Sequence, residues 1–147
     1  MSRARATHFN VLLVEDDPGD ANLTKAAFAA GTFSCRLDHV LDGAEAMARL
    51  LAIADGSLDV RLPDLVLLDL NMPRKNGHQV LAEIRADDRL KDIPVLVFST
   101  SSAKRDIALA YGGGASSFVI KPVDLDGLFA AVQSIEDYWF GLAQLPR

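Results

Sequence analysis

Five short apolar runs, each followed by a segment with helical spacing, constrain this chain more than any other feature of it. Val11-Leu12-Leu13-Val14, Leu65-Val66-Leu67-Leu68 and Val95-Leu96-Val97-Phe98 are apolar without alternation. A strand reads that way when both of its faces are covered. Cys35, Leu37 and His39 alternate with Ser34, Arg36 and Asp38, the pattern of a weaker strand at a sheet edge, and Phe118-Val119-Ile120 is a short last strand. Pro18 and Gly31 bracket a helix with Asp17 as its N-cap, and Asp42 and Glu45 are spaced as a capping box ahead of Met47, Leu50 and Leu51. Val80, Leu81 and Ile84 mark a third helix, and residues 107–111 a fourth. The last and longest carries Leu125, Leu128, Phe129, Val132, Ile135 and Trp139 on one stripe. Strands alternating with helices build right-handed parallel βαβ units. The expected fold is therefore α/β, a five-stranded doubly wound parallel sheet with five helices on its two sides.

At 147 residues the chain has the length of one domain and can bury a full core without disulfides. No repeat or linker divides it, so the expectation is a flexible N-terminus over residues 1–7 and a single domain over 8–147. Half of the residues are hydrophobic and 24% are charged, which excludes a disordered chain. Twenty acidic residues against fifteen basic ones give a net charge of −5, and no basic stripe is present to hold nucleic acid. A single cysteine, Cys35, cannot close an internal disulfide. Residues 1–10 lack the apolar stretch of a secretory signal, and no run is long enough to span a bilayer. These features predict a cytoplasmic protein without membrane contact.

The polar residues are not scattered on this frame. Glu15 and Asp16 follow the first strand, Asp69 the third, Ser99 the fourth and Lys121 the fifth. In open α/β sheets, ligands bind outside the carboxyl ends of the strands. Three carboxylates gathered there repel by roughly 4 kcal/mol per close pair at an effective dielectric near 20. Lys121 offsets one charge, and a divalent cation balances the rest. Oxygen ligands suit Mg²⁺ (or Mn²⁺). A pocket with a metal and an ammonium accepts a phosphoryl group, and a carboxylate such as Asp69 can be its nucleophile. Taken one at a time, each of these residues also reads as an ordinary surface charge; the set as a whole does not.

Val14-Glu15-Asp16-Asp17-Pro18, Leu68-Asp69-Leu70-Asn71-Met72-Pro73 with Gly77, then Ser99, then Lys121-Pro122 resemble the CheY-like receiver domain of two-component response regulators. The resemblance spans about residues 8–140. It implies a flavodoxin-like strand order 2-1-3-4-5, with Asp69 as phosphoacceptor in a phosphorelay from a sensor histidine kinase. It implies metal ligation by Asp16, by Glu15 through water, by Asp69, and by the backbone carbonyl of Asn71. Ser99 and Lys121 would each bind a phosphoryl oxygen, and Phe118, where chemotaxis-type members carry Tyr, would turn inward as Ser99 is drawn toward the phosphoryl group. The Lys121–Pro122 bond is expected to be cis. Such a protein performs autophosphorylation and autodephosphorylation but is a signalling protein, not a turnover enzyme.

A narrower resemblance rests on residues 69–77, the Ser99-Thr100-Ser101-Ser102 run, the long loop before Pro63 and the tail ending Leu145-Pro146. These are similar to the small stand-alone regulators paired with bacterial phytochrome kinases, which implies red/far-red light as the upstream signal. Tyr138, Trp139, Phe140 and Leu142 put bulky apolar groups around the last helical turn. Surplus apolar surface predicts a homodimer built on that helix, against the alternative that the tail docks on its own domain. His8, His39 and His78 are dispersed and suggest no zinc site. Two other functions fit less of the pattern. A Mg²⁺-dependent phosphohydrolase needs a general acid two residues after the nucleophile, where Asn71 stands. A phosphate-independent receiver-like interaction module has no need of Asp69, Asp16 and Lys121 together.

Overall fold

Leu65-Val66-Leu67-Leu68 is apolar on both sides because it becomes the middle of a sheet with a helical layer on each face. The computed structural model describes residues 8–146; the expected flexible segment over residues 1–7 lies outside them. The strands are β1 (Phe9–Val14), β2 (Cys35–Val40), β3 (Leu65–Leu68), β4 (Val95–Ser99) and β5 (Ser117–Ile120). The helices that alternate with them are α1 (Pro18–Ala29), α2 (Gly43–Ala54), α3 (Gly77–Ala86), α4 (Lys104–Gly112) and α5 (Leu125–Glu136). The sheet runs β2-β1-β3-β4-β5 with every pairing parallel, the expected doubly wound flavodoxin-like order. Registers such as Val14 opposite Leu68 and Val40, and Ser99 opposite Ile120, bring the strand ends level, so the polar residues that follow them converge.

Alternate side chains of each strand divide between two cores. Leu12, Val14, Val66, Leu68 and Val95 pack with Met47, Leu50, Val80, Leu81 and Ile84 beneath α2 and α3. Val11, Leu13, Leu65, Leu67, Leu96 and Phe98 pack with Ala27, Phe28, Leu128, Val132 and Ile135 beneath α1 and α5. Burying each Leu, Val or Phe side chain contributes about 1.5–3 kcal/mol, and this two-sided burial holds the sheet between its layers.

The helix starts follow the local chemistry. Asp17 accepts the Gly19 N–H at 2.9 Å and Asp42 the Glu45 N–H at 2.8 Å. The Glu45 carboxylate accepts from the Leu41 N–H, not from that of Asp42, so the expected box is only half closed. A complete capping box forms instead at Asn76 and Gln79, ahead of α3.

The C-terminal end departs from the sequence reading. The α-helix stops at Glu136 and the chain continues as a π-helix, Asp137–Leu142, with the Ala143 N–H bonded to the Tyr138 carbonyl at 2.7 Å. A π-turn holds about one more residue than an α-turn. The position that follows Val132 and Ile135 toward the core therefore slips from Trp139 to Phe140. Phe140 is buried, stacked on Phe9 at 4.2 Å between ring centroids and edge-on to Phe33 at 6.0 Å. Its expected place in a dimer surface is thus corrected, because the wider winding docks it on its own domain. Trp139 is half-buried, whereas Tyr138 and Leu142 are exposed. Leu125, the first residue of the expected stripe, is also exposed. Among the described residues no helix is long and apolar enough to cross a membrane.

Candidate phosphoryl-acceptor site

Each strand delivers its polar group at the same edge of the sheet because the apolar part ends there. Glu15 leaves β1 directly after Val14, its N–H still bonded to the Val40 carbonyl at 3.1 Å. Asp69 leaves β3 after Leu68, its N–H bonded to the Val14 carbonyl at 3.1 Å. Carboxylate oxygens of Glu15, Asp16 and Asp69 lie within 4.8 Å of one another. Glu15 is buried, Asp69 half-buried and Asp16 exposed, so the cluster grades from the interior to solvent. Asn71 lies on the same loop, its N–H pointing at Asp69 Oδ1 from 3.5 Å.

Lys121 enters from β5. Its Nζ donates to Glu15 Oε1 at 2.5 Å and stands 3.9 Å from Asp20 Oδ2, with the Phe98 ring 5.6 Å away. The ammonium and the Glu15 carboxylate are both almost fully buried. Among the described residues there is no cis peptide bond, so the expected cis Lys121–Pro122 linkage is corrected to trans. Trans is the intrinsically favoured isomer of an X–Pro bond, and the ammonium reaches the acidic cluster with it. Ser99 is fully buried at the end of β4, and its Oγ accepts the Ser101 N–H at 3.2 Å. Phe118 is half-buried against Leu70, Val97 and Ala110, with its N–H donating to the Tyr111 hydroxyl at 3.1 Å. An inward turn of this ring would start from a place already in contact with the core.

Burial makes these carboxylates costly to ionise without compensation. Desolvation pushes the Glu15 carboxyl up to about 6 despite the hydrogen bond and charge of Lys121, and Asp69 adds to the rise. Asp69 is raised for the same first reason, with Lys121 and the Asn71 N–H opposing and Asp16 contributing. A cluster of oxygen donors with one ammonium remains electron-rich, and this donor set fits a hard divalent cation that retains waters. Glu15, Asp16 and Asp69 would hold it, and it would supply charge neutralisation for an incoming phosphoryl group.

Beside Gly77, which the sequence motif includes, two supports had no sequence signal. A Cβ on Gly77 would stand 2.4 Å from the Asp69 carbonyl oxygen, so only glycine lets α3 begin against the Asp69 backbone. Arg74 adopts φ +64°, the left-handed region that costs a non-glycine residue roughly 1–2 kcal/mol. Its guanidinium pairs with Asp42, tying the loop after Asp69 to the start of α2. His39 Nε2 lies 2.7 Å from the Glu15 carbonyl oxygen and braces the acidic loop from the edge strand. These partners are remote in sequence, so no spacing rule reaches them.

Residues 11–133 match the response regulator receiver domain family. Response regulator Rcp1 of Synechocystis sp. is 38% identical over 136 residues, covering 92% of each chain. A crystal structure of the Mn²⁺-bound form of Rcp1 superposes with a TM-score of 0.85 at 37% identity, covering 95% of this chain and 99% of that one. The probable methanogenesis regulatory protein FilR2 of Methanothrix harundinacea is also 38% identical, over 138 residues, 94% of this chain and 88% of that one. The phosphorylated cyanobacterial phytochrome response regulator RcpA superposes with a TM-score of 0.89 at 42% identity, covering 96% of this chain and all of that one.

Proposed function

Because the chain belongs to the response regulator receiver domain family, we propose that it is a phosphorylation-controlled regulator whose Asp69 takes a phosphoryl group from a sensor histidine kinase. The observation that carries this reading is the convergence of Glu15, Asp16, Asp69, Ser99 and Lys121 on one end of the sheet. An Asp69 oxygen attacks the phosphorus of a phosphohistidine; a P–O bond forms, the P–N bond breaks with its electron pair going to the ring nitrogen, and the imidazole leaves neutral, keeping the proton on its other nitrogen. Glu15, Asp16, Asp69 and the Asn71 carbonyl would hold Mg²⁺, which would supply charge neutralisation for the transferring group. Lys121 exchanges part of its pairing with Glu15 for a phosphoryl oxygen, and the Ser99 hydroxyl donates to another. Phe118 then follows the Ser99 loop inward. The Lys121 and Ser99 groups are already buried, so neither has to be drawn in from solvent.

The kinase is a bacteriophytochrome in this reading, supported by the likeness to RcpA over the whole of that chain. FilR2 is as similar in sequence as Rcp1, and phosphotransfer from a purified bacteriophytochrome kinase to Asp69, dependent on red or far-red light, tests the input. The protein works in the cytoplasm and pairs with a second copy of itself through Tyr138, Trp139 and Leu142. An apolar groove of about 230 Å³ between β5 and α5, lined in part by Val119, Ala131, Tyr138 and Trp139, supports that pairing.

Intact mass after incubation with a small-molecule phosphodonor tests the central claim. A gain of one phosphoryl group that requires Mg²⁺ and vanishes in Asp69→Asn is expected. No gain under any condition would make the chain a phosphate-independent interaction module. Light scattering of Tyr138→Ala/Leu142→Asp tests the dimer, which is expected to become monomeric while the phosphoryl gain persists.

A further inference from the structure

The β4–α4 loop, residues 100–103, carries the chain from Ser99 to α4, and it is held by bonds that do not involve the acceptor itself. The Ser101 hydroxyl donates to Asp106 Oδ2 at 2.7 Å and accepts the Ala103 N–H at 3.3 Å, while the Ser101 N–H donates to Ser99 Oγ at 3.2 Å. Helix α4 has no side-chain N-cap, because Ala103 occupies that position. The Ser101–Asp106 bond ties the loop to the first turn of the helix, where the helix dipole favours the Asp106 carboxylate. The other Asp106 oxygen lies 3.5 Å from His78 Nε2, at ion-pair distance, and among the described residues no nearer group hydrogen-bonds that buried nitrogen. His78 follows Gly77 at the start of α3, against the Asp69 backbone. Ser101 and then His78 hold the Asp106 carboxyl below the usual carboxylate range, so it stays ionised.

Resting on the phosphoacceptor reading of Asp69, we propose that Ser101, Asp106 and His78 form an anchor that holds the β4–α4 loop in its unphosphorylated place and sets how readily Ser99 moves toward phosphorylated Asp69. Ser99 cannot move alone. Ser101 is bonded to it, and drawing that hydroxyl away from Asp106 leaves a carboxylate facing His78 with one partner fewer. The three are positioning residues, since none touches the reacting atoms. They join the helix that starts on the acceptor's backbone to the loop that starts at Ser99.

The test is a phosphorylation time course by intact mass with acetyl phosphate and Mg²⁺, beside hydrogen exchange across residues 100–104 of the full chain. Ser101→Ala and Asp106→Ala are expected to accept phosphate about three- to tenfold faster than wild type. The double variant should be no faster than either single one, because both remove the same anchor. His78→Ala is expected to give a smaller acceleration, and His78→Arg, which restores a donor to Asp106, should return the rate toward wild type. Equal rates in wild type and all variants would overturn the anchor and leave the acceptor reading intact. A wild type that gains no phosphoryl group would end the acceptor reading, and exchange then decides the anchor. Unchanged exchange across 100–104 in Asp106→Ala overturns it, and faster exchange confined to those residues supports it.

Discussion

The molecule buries a glutamate at each end of its sheet and treats the two differently. At the carboxyl end, Glu15 is hydrogen-bonded to Lys121 and neighbours Asp69 and Asp16. At the opposite end, Glu136 is completely buried at the close of α5, and among the described residues neither of its oxygens has a hydrogen-bond partner. Its carboxyl fits only because Gly31 leaves the space, since a Cβ there would lie 1.7 Å from Glu136 Oε1. Burial, with the charge of Asp137 behind it, pushes this carboxyl up to about 7. One end covers a carboxylate by pairing it with an ammonium; the other accommodates a carboxyl by tightening its hold on the proton. The C-terminal extension, with Phe140 between Phe9 and Phe33, seals that second end.

Removing the cation from the first end should have the largest effect. Lys121→Met leaves Glu15 buried without its partner, a change of about 3–5 kcal/mol in unfolding free energy by urea titration. The phosphoryl gain should disappear with it; a variant that is stable and still accepts phosphate would remove Lys121 from both roles. Phe140→Ala tests the seal at the other end, where losing a buried aromatic should cost about 3–5 kcal/mol, whereas Trp139→Ala should cost less. A larger loss from Trp139 would mean that the π-register does not hold in solution.

Glu136 gives the comparison its pH dependence. Folded protein keeps this proton to about pH 7, while the unfolded chain releases it near the ordinary value of 4.5. Between those limits the folded state binds more protons, so stability falls as pH rises. The contribution is complete below pH 4.5 and is lost as pH rises through about 7, a swing of up to about 3 kcal/mol. Glu136→Gln should flatten that part of the stability profile, and an unchanged profile would show that another group governs it. The smallest expected effect is at the capping box: Asn76→Ala should cost about 1 kcal/mol without altering the final extent of phosphorylation.

The carboxyl end was the legible one. Its residues follow directly on apolar runs, and a strand's end is visible wherever such a run stops, so the sheet and the positions of Glu15, Asp69, Ser99 and Lys121 could be read in order. The amino end was obscure because its determinants are a winding change and a close approach. Nothing between Asp137 and Leu142 distinguishes a π-turn from an α-turn, and the one-residue slip exchanged Trp139 for Phe140 as the buried ring. Glu136 sits four residues after Val132, on the core side of its helix, yet a glutamate there reads as the rim of a stripe until Gly31 is brought against it. At the site itself, the His39 brace and the Arg74–Asp42 link stayed hidden because each joins residues far apart in the chain.

The Tyr111 hydroxyl on the Phe118 N–H has a bearing on solubility. Strand β5 is the last in the sheet, and its outward donors are what a stray strand from another molecule would bind. By capping one of them from α4, Tyr111 interrupts the ladder that edge-to-edge aggregation requires.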